Sequence, residues 1–375
     1  MEKLPPEILP NIVSHIYDDI SSNSGESNRR FALAPLACIS RRWQHPVESH
    51  SFRDLQLTPT RLRQAETKKT ADGLWNTVVV GYSRTPNQPY APSSTVREIP
   101  EMPMVSEFTV DFDLFNLVFE PCSMNQLARK MTRLQKIDWC LSDNENRPRA
   151  RQELRKNFAD TLNLIARSVK FFSLRYLREA PYPHWFSPPR ESIIPPGTDC
   201  DVLSQALHHF TQRDGLLEVL IHGSFDETII WPGAQRTLPR WPTLQKLYVD
   251  FHHILPSGEW LVKSVVIPFD SRFRTERIQA ITNRLLLAAG QGACHMPEMK
   301  WMGIGIDLAP VLLTDGTNRT CGRLDHVNGL EIEEEVLGAW EQAMRTRGIT
   351  FDQCTFTETL NGLPDFEMCH SELGW

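Results

Sequence analysis

Apolar residues along this chain follow two alternating rhythms. Near the N-terminus Ile8, Leu9, Ile12, Val13 and Ile16 recur every three to four residues, the spacing of one helical stripe. Pro5 and Pro6 precede it, and proline suits a first helical turn because its missing N–H has no intrahelical partner to lose. Glu7 adds a carboxylate at the positive end of the helix dipole. The Ser-rich stretch 18–28 reads as a loop. A second helix is predicted from about Phe31 to Gln44, with Leu33, Leu36, Ile39 and Trp43 on one face.

Beyond residue 50 the rhythm changes to apolar-x-x-apolar-x-apolar, the mark of short half-buried strands. It recurs at Phe52/Leu55/Leu57, Trp75/Val78/Val80, Val105/Phe108/Val110, Leu134/Ile137/Trp139 and Val169/Phe172/Leu174. Three more instances are Leu216/Val219/Ile221, Leu244/Leu247/Val249 and Met296/Met299/Trp301. Amphipathic helices are predicted before several of them, on Leu154/Phe158/Leu162/Ile165, Val202/Leu203/Ala206/Leu207/Phe210 and Ile278/Ile281/Leu285/Ala288. Helix, turn, strand and a loop of variable length form a repeating unit, so the expected fold class is α/β.

A last helix is predicted over Glu331–Arg347, with Ile332, Val336, Leu337, Trp340 and Met344 on one face. Its acidic start and basic end match the helix dipole, and the run Glu333–Glu335 reads as a solvated face before it reads as a binding patch. Three loops, 82–103, 176–196 and 231–242, carry aromatics and arginines such as Trp185, Trp231, Arg236, Arg240 and Trp241. Such residues anchor interfaces, and they equally pin long loops to their own core.

The block 1–57 resembles an F-box, the helical module by which a family of eukaryotic proteins docks onto a Skp-type adaptor. The resemblance rests on Leu4-Pro5-Pro6-Glu7-Ile8-Leu9 followed in order by Leu36-Ala37-Cys38-Ile39-Ser40-Arg41-Arg42-Trp43. It implies adaptor binding through Leu4, Pro5, Ile8, Leu9, Ile12, Leu36, Ile39 and Trp43, with some of these forming the module's own core. The loop 18–28 is longer than the family pattern. Many members of the family carry leucine-rich repeats, which implies that residues 58–375 form an irregular leucine-rich-repeat-like α/β horseshoe that recognises a substrate. The implied function is substrate recognition for a cullin-RING ubiquitin ligase, the alternative being an adaptor-binding scaffold that delivers nothing for ubiquitylation.

Composition narrows the remaining classes. With 41% hydrophobic and 23% charged residues the chain is ordinary globular protein, and its net charge of −6 argues against a sequence-wide nucleic-acid footprint. No apolar run is long enough to span a membrane, and the opening Met-Glu-Lys lacks the form of a signal peptide. Eight scattered cysteines without a CxxC pair read as reduced thiols of the cytoplasm or nucleus.

No phosphate loop, dinucleotide fingerprint or GxSxG elbow occurs, and Gly290/Gly292 and Gly303/Gly305 are too short to count. The pairs His208-His209 and His252-His253 lack the i, i+4 spacing of a helical metal face. Cys294-His295 and Cys369-His370 are sequence neighbours that point apart. The expectation is therefore a protein without catalytic, metal or cofactor-binding residues, whose partners are an adaptor, a cullin reached through it, and an unknown protein substrate.

Overall fold

The computed structural model describes residues 11–15, 54–57, 81–82, 101–110, 118–178, 191–233, 238–266, 273–306, 310–314, 321–322, 332–347 and 350–351. The chain is α/β: helices alternate with a mainly parallel sheet. In order come β1 (Asp54–Leu57), β2 (Gly81–Tyr82), β3 (Glu107–Val110), β4 (Val118–Phe119), α1 (Pro121–Ala128) and β5 (Lys136–Ser142). Then follow α2 (Pro148–Thr161), β6 (Phe171–Leu177), α3 (Val202–Thr211), β7 (Glu218–Gly223) and β8 (Lys246–Phe251). The remainder is β9 (Val262–Val266), β10 (Phe273–Arg277), α4 (Gln279–Ala293), β11 (Trp301–Ile306), β12 (Pro310–Thr314), β13 (Cys321–Gly322), α5 (Glu334–Arg345) and β14 (Thr350–Phe351). Two compact units divide the chain: Met1–Trp139 with Leu164–Val169, and Cys140–Asn163 with Lys170–Trp375.

In the first unit β1 pairs in parallel with β3, and β3 with the first part of β5, Phe108 facing Ile137 and Val110 facing Trp139. These four side chains are buried, as are Val105 and Leu134 just before their strands. Phe108 and Trp139 meet edge to face at 5.5 Å, a favoured aromatic geometry. Helix α1 begins on Pro121 and buries Met124 and Leu127. The Ser168 hydroxyl donates to the Leu134 carbonyl at 2.7 Å, satisfying a group at the approach to β5.

In the second unit β6, β7, β8 and β11 run in parallel and the row closes on antiparallel β12. Phe172, Val219, Leu247 and Met302 form one buried row across these strands, and Leu174, Ile221, Val249 and Ile304 the next. The turn before each strand repeats one hydrogen-bond scheme: Leu217 and Glu218 donate to Lys170, Gln245 and Lys246 to Leu217, Lys300 and Trp301 to Gln245. The strands therefore lie side by side in chain order, with no reversal of that order among the parallel ones. A doubly wound sheet has such a reversal and binds its ligand there. Hairpin β9–β10 and the short pair β13–β14 form separate two-stranded sheets.

Five of the predicted strand triples that lie in described residues coincide with strands in the expected register. These are the triples starting at Val105, Leu134, Val169, Leu216 and Leu244. The last triple is corrected. The buried set of β11 is Met299, Met302 and Ile304, three residues on from Met296/Met299/Trp301, and Trp301 lies on the opposite face, part-exposed. The triple at Trp75 lies outside the described residues. Tyr176, expected to open a loop, instead lies inside β6 and is buried.

Helix α2 also departs from expectation. Its core-facing side carries Arg151, Arg155 and Phe158, whereas Leu154 is only half-buried. Helix α3 buries Leu203, Leu207 and Phe210 as its periodicity implies, and adds His208. Helix α4 buries Ile281, Leu285 and Ala288, and Gly292 sits where an added Cβ would stand 2.7 Å from Ile230. Glycines 290 and 292 thus serve close helix packing. Helix α5 packs on α4 through Trp340, whose indole donates to the Leu286 carbonyl at 3.0 Å. Glu333, Glu334 and Glu335 are exposed, a solvated acidic face.

Candidate functional site

Two polar constellations stand out in the second unit, and they differ in what they leave available. The first is buried where loops leave the sheet. Asp143 follows β5, Asp201 caps α3, and Ser224 and Asp226 follow β7. Arg155 reaches from α2 into their midst: Nε donates to Asp201 at 3.0 Å, Nη2 to the same carboxylate at 2.6 Å, Nη2 to the Ser224 carbonyl at 2.8 Å, and Nη1 to Asp143 at 2.9 Å. Arg151 holds Asp143 from the other side. Rings of Tyr176 and Phe225 flank the Arg155 guanidinium at 5.6 and 5.4 Å.

Charge balance explains the protonation states. Burial alone would raise the Asp201 carboxyl, but Arg155 and the Ser204 donors outweigh it and hold it below the usual carboxylate range. Asp226 has no such cation. Burial first, then the Asp201 charge, push it up to about 6, although Thr228 and the Asp201 N–H bond it. Arg155 directs its donors at acceptors within the fold and is fully buried, so the cluster ties α2, α3 and the strand ends together and leaves nothing to meet a ligand.

The second constellation lies on the sheet face opposite the buried rows. Strand alternation places Arg175, His222 and Asp250 in one row across β6, β7 and β8, with Gly305 of β11 next. His222 Nδ1 meets the Asp250 carboxylate at 2.7 Å. One row back, Tyr248 faces Gly303, and its ring stacks on Trp301 at 5.8 Å and 29°. Glycine is required at both β11 positions: a Cβ at 303 would stand 2.7 Å from the Tyr248 ring, and one at 305 would strike the Asp250 carboxylate. Glu218 and Lys246 form an ion pair at 3.1 Å in the row beyond.

Arg175, His222, Tyr248 and Trp301 are all part-exposed. A histidine whose Nδ1 is held by a carboxylate is oriented as in a general-base pair. No hydroxyl or thiol is hydrogen-bonded to His222, so the nucleophile such a pair would activate is missing among the described residues. The arrangement presents a cation, an oriented imidazole and an aromatic shelf on a part-exposed sheet face, which is equipment for recognition.

The other histidine pairs are built into the fold. His208 is fully buried, meets Trp241 edge to face at 5.2 Å, and among the described residues its ring nitrogens make no hydrogen bond of good geometry, although the Ile229 and Ile230 backbone approaches the ring. Burial, then His209, push it down to about 4. His252 Nδ1 accepts from the Ile254 N–H at 3.4 Å; burial and then the charges of His253, His222, Arg178 and Arg151 push it down to about 3. No group of three or more His, Cys, Asp or Glu side chains suited to a metal ion occurs among the described residues. No helix among them is long and apolar enough to cross a membrane.

Of the residues expected to dock an adaptor, Ile12 lies in the helical stretch 11–15, half-buried beside buried Val13. Leu4, Pro5, Ile8, Leu9, Leu36, Ile39 and Trp43 lie outside the described residues, as does Cys369-His370. In the loop 231–242, Trp241 is buried and donates to Thr211 Oγ1 at 2.9 Å, and Trp231 stacks on His295 at 5.3 Å. Both pin the loop to its own unit. Sequence reasoning singled out neither Arg175, His222 and Asp250 nor the Arg155 network. A signal for the first existed: each falls three residues after the middle apolar residue of its strand triple. Comparison with known proteins finds no matching family, no similar characterised protein and no similar solved structure.

Proposed function

We propose that this chain is the substrate-recognition subunit of a cullin-RING ubiquitin ligase, meeting a Skp-type adaptor through residues 1–57 and a protein target through residues 58–375. The observation that carries this reading is the ordered pair of segments Leu4-Pro5-Pro6-Glu7-Ile8-Leu9 and Leu36-Ala37-Cys38-Ile39-Ser40-Arg41-Arg42-Trp43. The body of the chain supports it. Parallel strands in chain order, equivalent buried positions at 172, 219, 247 and 302, and a repeated turn scheme before each strand suit an irregular leucine-rich-repeat-like horseshoe. The part-exposed row of Arg175, His222, Tyr248 and Trp301 supplies a surface on which a target can rest.

In this role the chain performs no bond chemistry. It raises the effective concentration of a target's lysines beside a conjugating enzyme, and proximity alone accounts for a large part of the barrier in such transfers. The test is capture of purified Skp-type adaptor by the full-length chain, beside the variant Leu9→Asp/Leu36→Asp. A charge in an apolar docking face abolishes binding, so specific capture by the wild type and none by an equally folded variant is the expected result. A well-folded wild type that captures no adaptor overturns the reading.

A further inference from the structure

We propose that the part-exposed face of the second unit's sheet binds an extended acidic segment of a partner protein, Arg175 taking a carboxylate and the Tyr248–Trp301 shelf taking an apolar side chain about four to six residues along the segment. The proposal deepens the receptor reading by naming the class of target, and rests on it for the target's fate.

Arg175 carries the argument. It is part-exposed, and among the described residues neither an ion pair nor a hydrogen bond occupies its guanidinium. The other basic side chains nearby are committed: Lys246 to Glu218, Arg151 and Arg155 to the buried carboxylates, Arg284 to Glu227 and Glu259. A guanidinium left with its fork of donors open on a protein surface is matched geometrically by a carboxylate. Beside it, His222 gives its Nδ1 side to Asp250. In the neutral ring with Nδ1 protonated toward that carboxylate, Nε2 is an acceptor, suited to a backbone N–H of the bound segment.

The aromatic half is equally prepared. Gly303 and Gly305 remove the side chains that would lift Tyr248 and crowd Asp250, so the Tyr248 ring lies against β11 and stacks with Trp301. Arg175 and Trp301 are three strands and two rows apart. With strands ~4.8 Å apart and rows ~6.7 Å apart, the lane from one to the other is about 20 Å long. That length suits about six residues of extended chain and exceeds what one small solute can touch. Bulk charge does not produce an acidic preference here, because the chain is itself negative, at −6.

The experiment probes an immobilised array of random-sequence peptides with the full-length chain and with Arg175→Gln and Arg175→Glu, while adaptor capture is measured on the same proteins. The wild type enriches peptides bearing Glu or Asp about four to six positions from an aromatic or aliphatic residue. Arg175→Gln weakens those peptides by about tenfold, and Arg175→Glu shifts selection toward Lys and Arg. Because the Arg175 side chain bonds to nothing among the described residues, both variants stay folded, checked by circular dichroism. Absence of acidic preference in the wild type, or an unchanged preference in Arg175→Glu, overturns the proposal. If adaptor capture fails while selection reverses with the charge, the ligase reading falls and the peptide-binding face stands. If capture succeeds and selection ignores residue 175, this proposal alone falls.

Discussion

Replacing Arg155 with leucine is the most direct probe of what holds the second unit together. The substitution removes donors to Asp201, Asp143 and the Ser224 carbonyl at once. Asp143 keeps Arg151 and loses little. Asp201 keeps the Ser204 N–H and hydroxyl but is left as a carboxylate in the interior with no cation beside it, and with Asp226 adjacent. Removing one partner of a buried ion pair costs about 3–5 kcal/mol, and leucine's gain in apolar burial offsets part of it. The expected loss is about 3–4 kcal/mol, a large share of a stability of roughly 5–15 kcal/mol. Asp201→Asn keeps the α3 cap but gives up the charge, so the double variant is less unstable than the sum of the singles by about 2 kcal/mol. Urea unfolding followed by circular dichroism on all four proteins measures this coupling. A loss under about 1 kcal/mol for Arg155→Leu, or a coupling under about 0.5 kcal/mol, refutes the claim that this arginine is the joint between α2, α3 and the strand ends.

Acid lowers stability through the buried histidines. Folded His208 and His252, pushed down to about 4 and about 3, stay neutral while the unfolded chain takes up protons below about 6.5. Their contribution is therefore intact above pH ~6.5 and is lost as pH falls toward 4, by on the order of 2 kcal/mol each at pH ~5. Asp226, pushed up to about 6, protonates first in the folded state and returns about 1 kcal/mol over the same range. Urea midpoints at neutral pH and pH ~5 check the net drop of about 3 kcal/mol, and His208→Phe removes more than half of it; a slope unchanged in that variant rejects the assignment. On the part-exposed face, Gly303→Ala forces Tyr248 off its seat and costs roughly 1–3 kcal/mol. Adding Tyr248→Ala relieves the ring's share of the clash, the rest lying against Trp301 at 2.9 Å, so the pair is less than additive in thermal melts; full additivity excludes the Tyr248 contact.

The strands were legible because their buried side chains repeat at a fixed spacing and the helices between them are amphipathic. The slip at β11 has a physical origin. Met296, Met299 and Met302 are all apolar at three-residue intervals and all buried, so spacing alone does not say which of them enters the strand. Trp301 misled because a large aromatic reads as core, yet here it lies on the part-exposed face beside Tyr248. Helix α2 was misread for the converse reason: Leu154 is apolar but half-buried, and Arg151 and Arg155 are polar but buried. Their burial depends on Asp143 and Asp201, which come from other parts of the chain and are brought in by the fold. The Arg175–His222–Asp250 row is a similar case, since three residues on three strands become neighbours only once register is set.

Each parallel pairing in the second unit joins a strand to the parallel strand made just before it: β7 to β6, β8 to β7, β11 to β8. On a ribosome, where the N-terminal side emerges first, β6 can accept β7 before β8 has been synthesised, and no early strand waits for a distant late one. The antiparallel β12 ends the growth, and its first residue is Pro310, which has no N–H to offer a further strand. The order of translation is thus the order of assembly, and the growing edge is exposed only for the time needed to make the next stretch of chain.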